Sequence, residues 1–213
     1  MAEQVKKNTR NTTETKRKIL NAAKKEFMYH GFDGARVDEI AARAQVNKQL
    51  IYYYFESKDN LFVETLKQSY KKLRKAEQAL ELDTMSAYEA ILKFVEHDWN
   101  FYVKNPELIF LLSSENLLKG RHIKEHKEEF WEINASWFGL MHHLLEKGRE
   151  DKTIREDLDA VQLCISIAGL IIFSIMNEST LSYSLMTDLS SKEAKNKRLE
   201  SIKQTIGCWI KPL

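Results

Sequence analysis

The pattern that most restricts how this chain can fold lies in residues 37–61, VDEIAARAQVNKQLIYYYFESKDNL. Apolar side chains from Val37 to Ala44 recur at helical spacing, so the first segment forms a short helix with one apolar face. A second short helix begins at Lys48, because Asn47 can accept a hydrogen bond from the free backbone N–H groups of its first turn. Two short helices on a tight turn predict a helix-turn-helix.

The second helix has an inward and an outward face. Ile51, Tyr54 and Phe55 are predicted to face the core, whereas the outward side chains are Lys48, Gln49, Tyr52 and Tyr53. Polar and aromatic groups of this kind suit phosphates and base edges, so the motif predicts DNA binding. For the two outward tyrosines, packing between helices is the alternative.

The stretch IAARAQVNKQLIYYYFESKDNL resembles the DNA-binding signature of the TetR family of bacterial transcriptional regulators. The resemblance extends from about Thr13 to about Leu66, and the aromatic run followed by Ser-Lys makes it specific. This chain has Gln45 where the family usually has glycine, and a left-handed conformation at Gln45 would cost a tolerable strain of roughly 1 kcal/mol. It has Ala35-Arg36 where the family carries a Ser or Thr cap. Arg36 cannot cap the helix but can reach a phosphate.

The DNA contacts are predicted in two groups. Ammonium, amide and phenol groups are expected to reach base edges in the major groove from Lys48, Gln49 and Tyr53. Phosphate contacts are expected from Arg17, Arg36, Asn47, Tyr52 and Lys58. Residues 1–25 carry eight basic and two acidic side chains, the concentration of positive charge that a phosphate-binding module requires. A solvated tail is the alternative explanation of that charge.

The composition predicts an all-α protein. The 213 residues include 7 Gly and 2 Pro, 43% are hydrophobic, and no long alternating runs occur. About nine helices follow from the apolar spacing, the first starting at Thr13 and ending at Gly31. We predict a mobile basic arm over 1–12, a helix-turn-helix domain over 13–57 and an effector-binding and dimerisation domain over 58–213.

The chain is expected to be cytoplasmic. Its N-terminus is polar and charged, without the apolar core of a signal peptide. The most hydrophobic stretch, 158–176, contains Asp159 and Gln162, and its apolar part is shorter than the roughly 20 residues that span a bilayer. No membrane partner is therefore expected. Cys164 and Cys208 lie in apolar helical patterns and fit a reducing cytoplasm better than a disulfide framework.

The family resemblance implies a pocket for a small-molecule effector of unknown identity among the central helices. Its expected apolar walls are Trp99, Tyr102, Phe110, Trp131, Trp137, Phe173 and Met176, and its expected polar anchors are His97, Asn116, His142 and Asn177. For each aromatic side chain, plain core packing is the alternative.

The stretch NPELIFLLSSENLLKG also resembles a TetR subgroup that includes uracil-responsive regulators of pyrimidine catabolism. Those proteins offer aromatic and amide side chains to the ligand from the penultimate helix. This chain has Ile167 and Ile171 there, so the resemblance does not carry the ligand over.

Two helices are predicted to form a dimer interface. The helix predicted over 158–183 is apolar on nearly all sides and therefore needs more than one packing partner. With the last helix, it is expected to pair with a second chain through Leu163, Ile167, Leu170, Leu199, Ile202, Ile206 and Trp209. A homodimer also suits DNA recognition, because two heads about 34 Å apart read a palindrome in successive major grooves.

His122 and His126 are the one arrangement that suggests a metal. They are four residues apart at the start of the helix predicted over 122–149, near Glu125 and Glu129. A charged, solvated helix start is the favoured interpretation, since a closed site needs four ligands. No cofactor is expected. The chain lacks G-x-S-x-G, P-loop and G-x-G-x-x-G patterns, so no catalytic function is predicted.

These features together predict a homodimeric, ligand-responsive transcriptional repressor that binds double-stranded DNA at a palindromic operator. The resemblance implies that the helix from Ser57 to about Glu81 carries ligand-induced movement to the DNA-binding heads. The alternative from another class is a DNA-organising protein without an effector, which uses its C-terminal half only for assembly. An enzyme is a more distant alternative.

Overall fold

The computed structural model describes residues 2–212, with side chains from Thr12 onward. The predicted all-α class is confirmed, and no strand occurs within that range. The eleven helices are α1 (Ala2–Gly34), α2 (Val37–Ala44), α3 (Lys48–Phe55), α4 (Lys58–Gln78), α5 (Ala87–Lys104), α6 (Glu107–Leu117), α7 (Arg121–Glu125), α8 (Lys127–Asp151), α9 (Ala160–Met176), α10 (Glu178–Ser184) and α11 (Lys192–Ile210).

The helices form two compact units. Unit 1 comprises Met1–Tyr70 and Glu107–Phe130, and unit 2 comprises Lys71–Pro106 and Trp131–Leu213. Unit 1 is larger than the domain predicted over 13–57, because its buried core continues beyond the first three helices. The additional core side chains are Leu61, Phe62, Val63, Leu66, Leu111 and Phe130.

Helix α1 forms the long wall of unit 1. It breaks at Gly31, where φ is 64° and ψ is −175°, so the predicted end of the regular helix at this glycine is confirmed. Its start at Ala2 corrects the predicted start at Thr13: residues 2–12 contain neither glycine nor proline, and nothing there stops a helix. The predicted arm falls on 1–12, of which the side chains of 1–11 lie outside the described residues.

Aromatic packing joins α1 to α4 in unit 1. Ile19, Ala23 and Phe27 are fully buried on one face of α1. The Phe27 ring meets the Phe62 ring edge-to-face, with centroids 4.9 Å apart. Burying one such ring stabilises a fold by roughly 1.5–3 kcal/mol. The first three helices would lack this contribution without α4.

Two of the predicted helices are each divided in the structure. The helix predicted over 158–183 becomes α9 and α10, which meet at a 70° bend. The break lies at Asn177, whose side-chain amide donates to the carbonyl of Phe173 over 2.9 Å and so caps α9. The helix predicted over 122–149 becomes α7 and α8, which are divided at His126, where φ is −119° and ψ is 32°. Helix α7 has its own buried N-terminal cap. The Glu115 carboxylate accepts from two backbone N–H groups in its first turn.

Helix α5 is central to unit 2 and contacts both α9 and α11. It begins with a capping box in which Ser86 and Glu89 satisfy each other's backbone N–H groups. Helices α5 and α11 pack closely at Gly207 of α11. A Cβ atom at this position would lie 2.7 Å from the hydroxyl oxygen of Tyr88 on α5, so only glycine fits without a shift. The buried side chains of this core include Ile91, Phe94, Val95, Ile171, Ile202 and Ile206.

Within residues 2–212, no single helix is both long and apolar enough to cross a membrane. The bent pair α9 and α10 meets those criteria by length and composition. Helix α9 buries one side in unit 2, through Ala160, Leu163, Cys164, Ile167 and Ile171.

Candidate nucleic-acid interface and effector cavity

The turn between α2 and α3 has the geometry that the sequence predicts. Gln45 is left-handed, with φ 56° and ψ 45°, the conformation that costs a residue other than glycine roughly 1 kcal/mol. Its N–H donates to the Ala42 carbonyl over 3.1 Å, and the Val46 N–H donates to the Ala41 carbonyl over 3.0 Å. These two bonds close the end of α2 and set the angle at which α3 leaves.

Helix α3 presents the predicted outward face. Asn47 caps it as expected, its side-chain oxygen accepting from the Leu50 N–H over 2.7 Å. Ile51 and Phe55 are buried, whereas Tyr54, predicted as core, is half-buried. The outward set is exposed, which leaves Lys48, Gln49, Tyr52 and Tyr53 free to approach DNA. Contact with DNA itself remains a prediction for these residues.

Two of the predicted DNA-contacting cations lie in exposed ion pairs. The Lys48 ammonium is 3.0 Å from Asp38. Arg17 makes two bonds to Glu14, of 2.7 and 3.0 Å, and this pairing raises the pKa of its guanidinium. Exposed pairs of this kind contribute little to stability, so a phosphate can replace the carboxylate readily.

The other two predicted cations flank the start of α2. Lys58 is half-buried: its ammonium donates to the Asp33 carbonyl over 3.2 Å and lies 4.9 Å above the ring of Phe32. Arg36 is exposed, its side chain makes no cap, and its backbone N–H donates to Glu26 over 3.3 Å. Lys58 therefore also stabilises the last turn of α1, which contains Phe32 and Asp33. Phosphate contact by Lys58 or Arg36 remains a prediction.

A basic groove beside the turn was missed by the sequence analysis. It has a volume of about 300 Å³ and its lining includes Lys18, Lys25, Arg43 and Gln45. Lys18 and Lys25 are seven residues apart on α1, a spacing that places them on one helix face. Arg43 joins them only because α2 packs on α1. These three cations are further candidates for phosphate contact.

The last turn of α1, which follows the kink at Gly31, contacts α6 and α7 within unit 1. The Phe32 N–H donates to the Ser114 hydroxyl oxygen over 2.8 Å. The buried His122 ring lies 4.8 Å from the Phe32 ring between centroids. Its Nδ1 is 2.7 Å from Glu115 and its Nε2 is 3.2 Å from Asp59 at the start of α4. These contacts connect α6 and α7 to the end of α1 and the start of α4, the two helices that flank the helix-turn-helix in sequence.

The contacts of His122 and His126 also bear on the alternative that these two residues bind a metal. Both ring nitrogens of His122 face carboxylates, and His126 Nδ1 lies 2.9 Å from Glu129. Across the part of the chain that the structure describes, no three or more His, Cys, Asp or Glu side chains are grouped to hold a metal.

Unit 2 contains a cavity of about 340 Å³, named here the α9–α11 cavity. Two of the predicted pocket residues, Trp99 and Phe173, line it together. Further apolar wall comes from α10 and the segment that follows it, through Leu181, Leu185 and Leu189. The polar groups at this cavity are Ser174, Glu178, Lys195 and Arg198.

A second cavity of about 340 Å³ in unit 2 is lined by Trp137 and Glu77, among others. These two residues also belong to a buried polar cluster. Arg74 donates to Glu77 over 2.7 Å, and its guanidinium lies 4.8 Å from the centre of the Trp137 ring. Arg74 Nε and Trp137 Nε1 are buried without a hydrogen-bond partner among the described residues. The charged members of this cluster were missed, because nothing in a charged helix sequence marks these side chains as buried.

Burial in this cluster favours a protonated carboxyl group. Burial, and then the neighbouring Asp98, raise the pKa of Glu77 to about 9, and burial also raises the pKa of Asp98. Two buried carboxyl groups in contact cannot both be charged at low cost. Burial favours the neutral form of Glu77, whose Oε1 has no hydrogen-bond partner in the described chain, whereas Asp98 faces His97 at 3.2 Å. Burial raises the pKa of the nearby Cys164 thiol to about 11.

The remaining predicted pocket residues are dispersed. Tyr102 is buried beside Phe101, and His142 is exposed with its ring 4.6 Å from that of Phe138. Phe110 and Asn116 lie on α6 in unit 1, and Asn177 is engaged as the cap of α9. Trp131 and Met176 are exposed. The structure thus brings together only part of the predicted set.

Four residues predicted to form the dimer interface belong to the core, and for them the prediction was wrong. They are at most 3% exposed, because α9 and α11 turn this side toward α5: Leu163, Ile167, Ile202 and Ile206. Leu170, Leu199 and Trp209 are half-buried. The exposed apolar side of α9 consists instead of Val161, Ile165 and Phe173, which are 44%, 59% and 55% exposed.

Two family profiles match the chain. The profile described as bacterial regulatory proteins, tetR family, matches residues 19–65, which contain the helix-turn-helix. The profile described as tetracyclin repressor-like, C-terminal domain, matches residues 88–206.

Similar proteins agree with these matches. The HTH-type transcriptional repressor NicS of Pseudomonas putida is 34% identical over 181 residues, or 85% of each chain. The crystal structure of SCO4942 from Streptomyces coelicolor superposes with a TM-score of 0.71 and 21% identity, over 93% of this chain and 99% of that one. The crystal structure of FadR from Bacillus subtilis in complex with stearoyl-CoA superposes with a TM-score of 0.66 and 17% identity, over 91% of this chain and 98% of that one.

Proposed function

Because the chain belongs to the TetR family, whose members are non-enzymatic DNA-binding transcription regulators, we propose that it is a homodimeric repressor of a palindromic operator, released by a small-molecule effector. Its DNA target would place it in the bacterial cytoplasm. The observation that carries the proposal is the outward face of α3, where exposed Lys48, Gln49, Tyr52 and Tyr53 stand on a capped helix beside a basic groove.

The side chains divide into base-reading and phosphate-binding groups. Lys48, Gln49 and Tyr53 lie on the exposed face and would read base edges. The phosphate contacts would come from Arg17, Arg36, Asn47, Tyr52 and Lys58, joined by Lys18, Lys25 and Arg43 of the basic groove. The former group would set sequence preference, and the latter would set affinity and its dependence on salt.

A dimer would form on the exposed side of α9. Val161, Ile165 and Phe173 repeat at intervals of four or eight residues, so they lie along one face of the helix. Large apolar side chains exposed in a row favour association with another surface. A second copy of the same face satisfies this requirement, and the resulting twofold symmetry matches that of a palindrome.

Effector release would act through unit 1. The effector must bind the non-DNA-binding state more tightly than the DNA-binding state, since equal affinity for both shifts nothing. Helix α4 contributes residues to both units, and α6 and α7 contact the last turn of α1 through Ser114 and His122. These elements are the proposed carriers of the movement, and the cavities of unit 2 are the proposed effector sites.

Selection from sheared genomic DNA of the encoding organism tests the proposal. The protein is incubated with the fragments at physiological salt, and the retained fragments are sequenced. Recovery of one or a few palindromic sites is expected. Uniform retention that disappears with added salt would instead favour the DNA-organising alternative, in which cations bind phosphates without reading bases.

A further inference from the structure

The α9–α11 cavity contains an unbalanced positive charge. Three of its lining side chains are charged: Glu178, Lys195 and Arg198. Glu178 and Lys195 neutralise each other, with 3.0 Å between the carboxylate and the ammonium. Arg198 makes no ion pair with any residue that the structure describes. An otherwise apolar cavity therefore carries one net positive charge.

The hydrogen bonds of Arg198 go only to neutral groups. Its Nε donates to the Ser174 hydroxyl oxygen over 2.8 Å, and its Nη2 donates to the Leu170 carbonyl over 3.4 Å. Burial lowers the pKa of this guanidinium, as expected for a cation that has lost water without gaining an anion. A guanidinium has five N–H donors, so donors remain for a ligand.

We propose that the α9–α11 cavity binds a small monocarboxylate with an apolar body, and that Arg198 holds the carboxylate. This inference rests on the proposed function, in which unit 2 receives the effector, and it specifies the chemical class. A carboxylate matches the guanidinium fork and restores the missing negative charge. The apolar body contacts Trp99, Phe173 and the leucines of α10 and the following segment.

The volume and the net charge of the cavity narrow the class of ligand further. A volume of about 340 Å³ lies at the lower end of the roughly 300–1,000 Å³ that ligand pockets span. Dicarboxylates and phosphorylated ligands carry more negative charge than one unpaired guanidinium balances. A medium-chain alkanoate is a suitable probe, because its alcohol and amine have the same apolar body with a different head.

Thermal shift and calorimetric titration with octanoate, 1-octanol and octylamine test the proposal. Octanoate is expected to raise the melting temperature, and the two matched compounds are not. Arg198→Met is expected to weaken octanoate binding about ten-fold or more, the effect of losing a charge-assisted bond. Lys197→Met is the matched control, because Lys197 is an exposed cation on the same helix that does not line the cavity, and its octanoate affinity should change less than three-fold.

The Arg198→Met variant should fold as the wild type does. Ser174 already donates to the Leu170 carbonyl over 2.7 Å, so removing the guanidinium leaves neither group unsatisfied. The unliganded Arg198→Met protein is therefore expected to melt at or above the wild-type temperature, since an uncompensated charge has been removed. Arg198→Gln provides a second variant with the same expected loss of octanoate affinity. Equal stabilisation by octanoate and 1-octanol, or undiminished octanoate binding by both variants, would overturn the proposal.

Operator binding separates this inference from the proposed function. Arg198→Met should bind the selected DNA as wild type does, because the substitution lies in unit 2. Octanoate binding that requires Arg198 but leaves DNA binding unchanged would support the site and contradict effector release. Specific DNA binding without any octanoate preference would overturn the site and leave the DNA-binding regulator intact.

Discussion

Replacing Glu77 by glutamine is predicted to stabilise the protein at neutral and alkaline pH. The Glu77 carboxyl is buried and accepts from Arg74 over 2.7 Å. Burial and the neighbouring Asp98 raise its pKa and so favour its protonated form. Glutamine has the same shape as the protonated acid, keeps an oxygen for Arg74 and offers an N–H to Asp98. The variant thus keeps the contacts of the folded state and removes the ionisation that opposes them.

The magnitude follows from the pKa of Glu77. Burial raises it to about 9 in the folded protein, from the ordinary value of 4.5 that the unfolded chain has. Between these two values the folded state binds one more proton than the unfolded state, so the free energy of unfolding falls as pH rises. The slope is at most about 1.4 kcal/mol per pH unit, or up to about 3 kcal/mol from about pH 6 to pH 8.

Urea denaturation across that pH range measures the effect. The other groups that face Glu77 are Arg74 and Asp98, with His97 and the Cys164 thiol nearby, and they are the same in both proteins. The wild type should lose stability with rising pH relative to Glu77→Gln, whereas Glu81→Gln, at an exposed position, should follow the wild type. Parallel pH profiles for wild type and Glu77→Gln would refute the buried proton.

Three further substitutions test separate parts of the structure. Gln45→Gly relieves a left-handed residue and should raise the free energy of unfolding by roughly 1 kcal/mol in urea; no gain would mean that Gln45 is unstrained. Glu115→Ala removes the buried acceptor of two backbone N–H groups and the partner of His122, and should cost about 3–5 kcal/mol; a loss no larger than that of exposed Glu125→Ala would contradict this role. Ile165→Glu places a charge on the exposed face of α9 and should yield monomers in sedimentation equilibrium; an unchanged dimer would place the interface elsewhere.

The DNA-binding part of the fold was predictable because its signals are local. A cap such as Asn47 acts within one turn, and a left-handed residue such as Gln45 is expected where a related sequence has glycine. The boundary of unit 1 was less accessible, since it depends on α6 packing against α1. That contact joins segments far apart in sequence, which neither periodicity nor capping can reveal.

The errors in unit 2 have a related physical cause. Helix α9 is apolar on nearly every side, so spacing alone cannot tell its core face at Leu163 from its exposed face at Ile165. The charged residues of unit 2 were hidden for the opposite reason. The sequence around Glu77 and Arg198 is typical of a surface, and only the tertiary packing buries Glu77 and half-buries Arg198.

The central claim is that the outward face of α3 reads a specific operator. Its most direct test is the ratio of operator affinity to random-DNA affinity for wild type and for the double variant Lys48→Ala, Gln49→Ala, at one fixed salt concentration. Each lost base contact is worth about 1–3 kcal/mol, so the loss of two contacts should lower the ratio roughly thirty-fold or more. The dimer and the random-DNA affinity should change little. An unchanged ratio would contradict the assignment of α3 as the recognition helix.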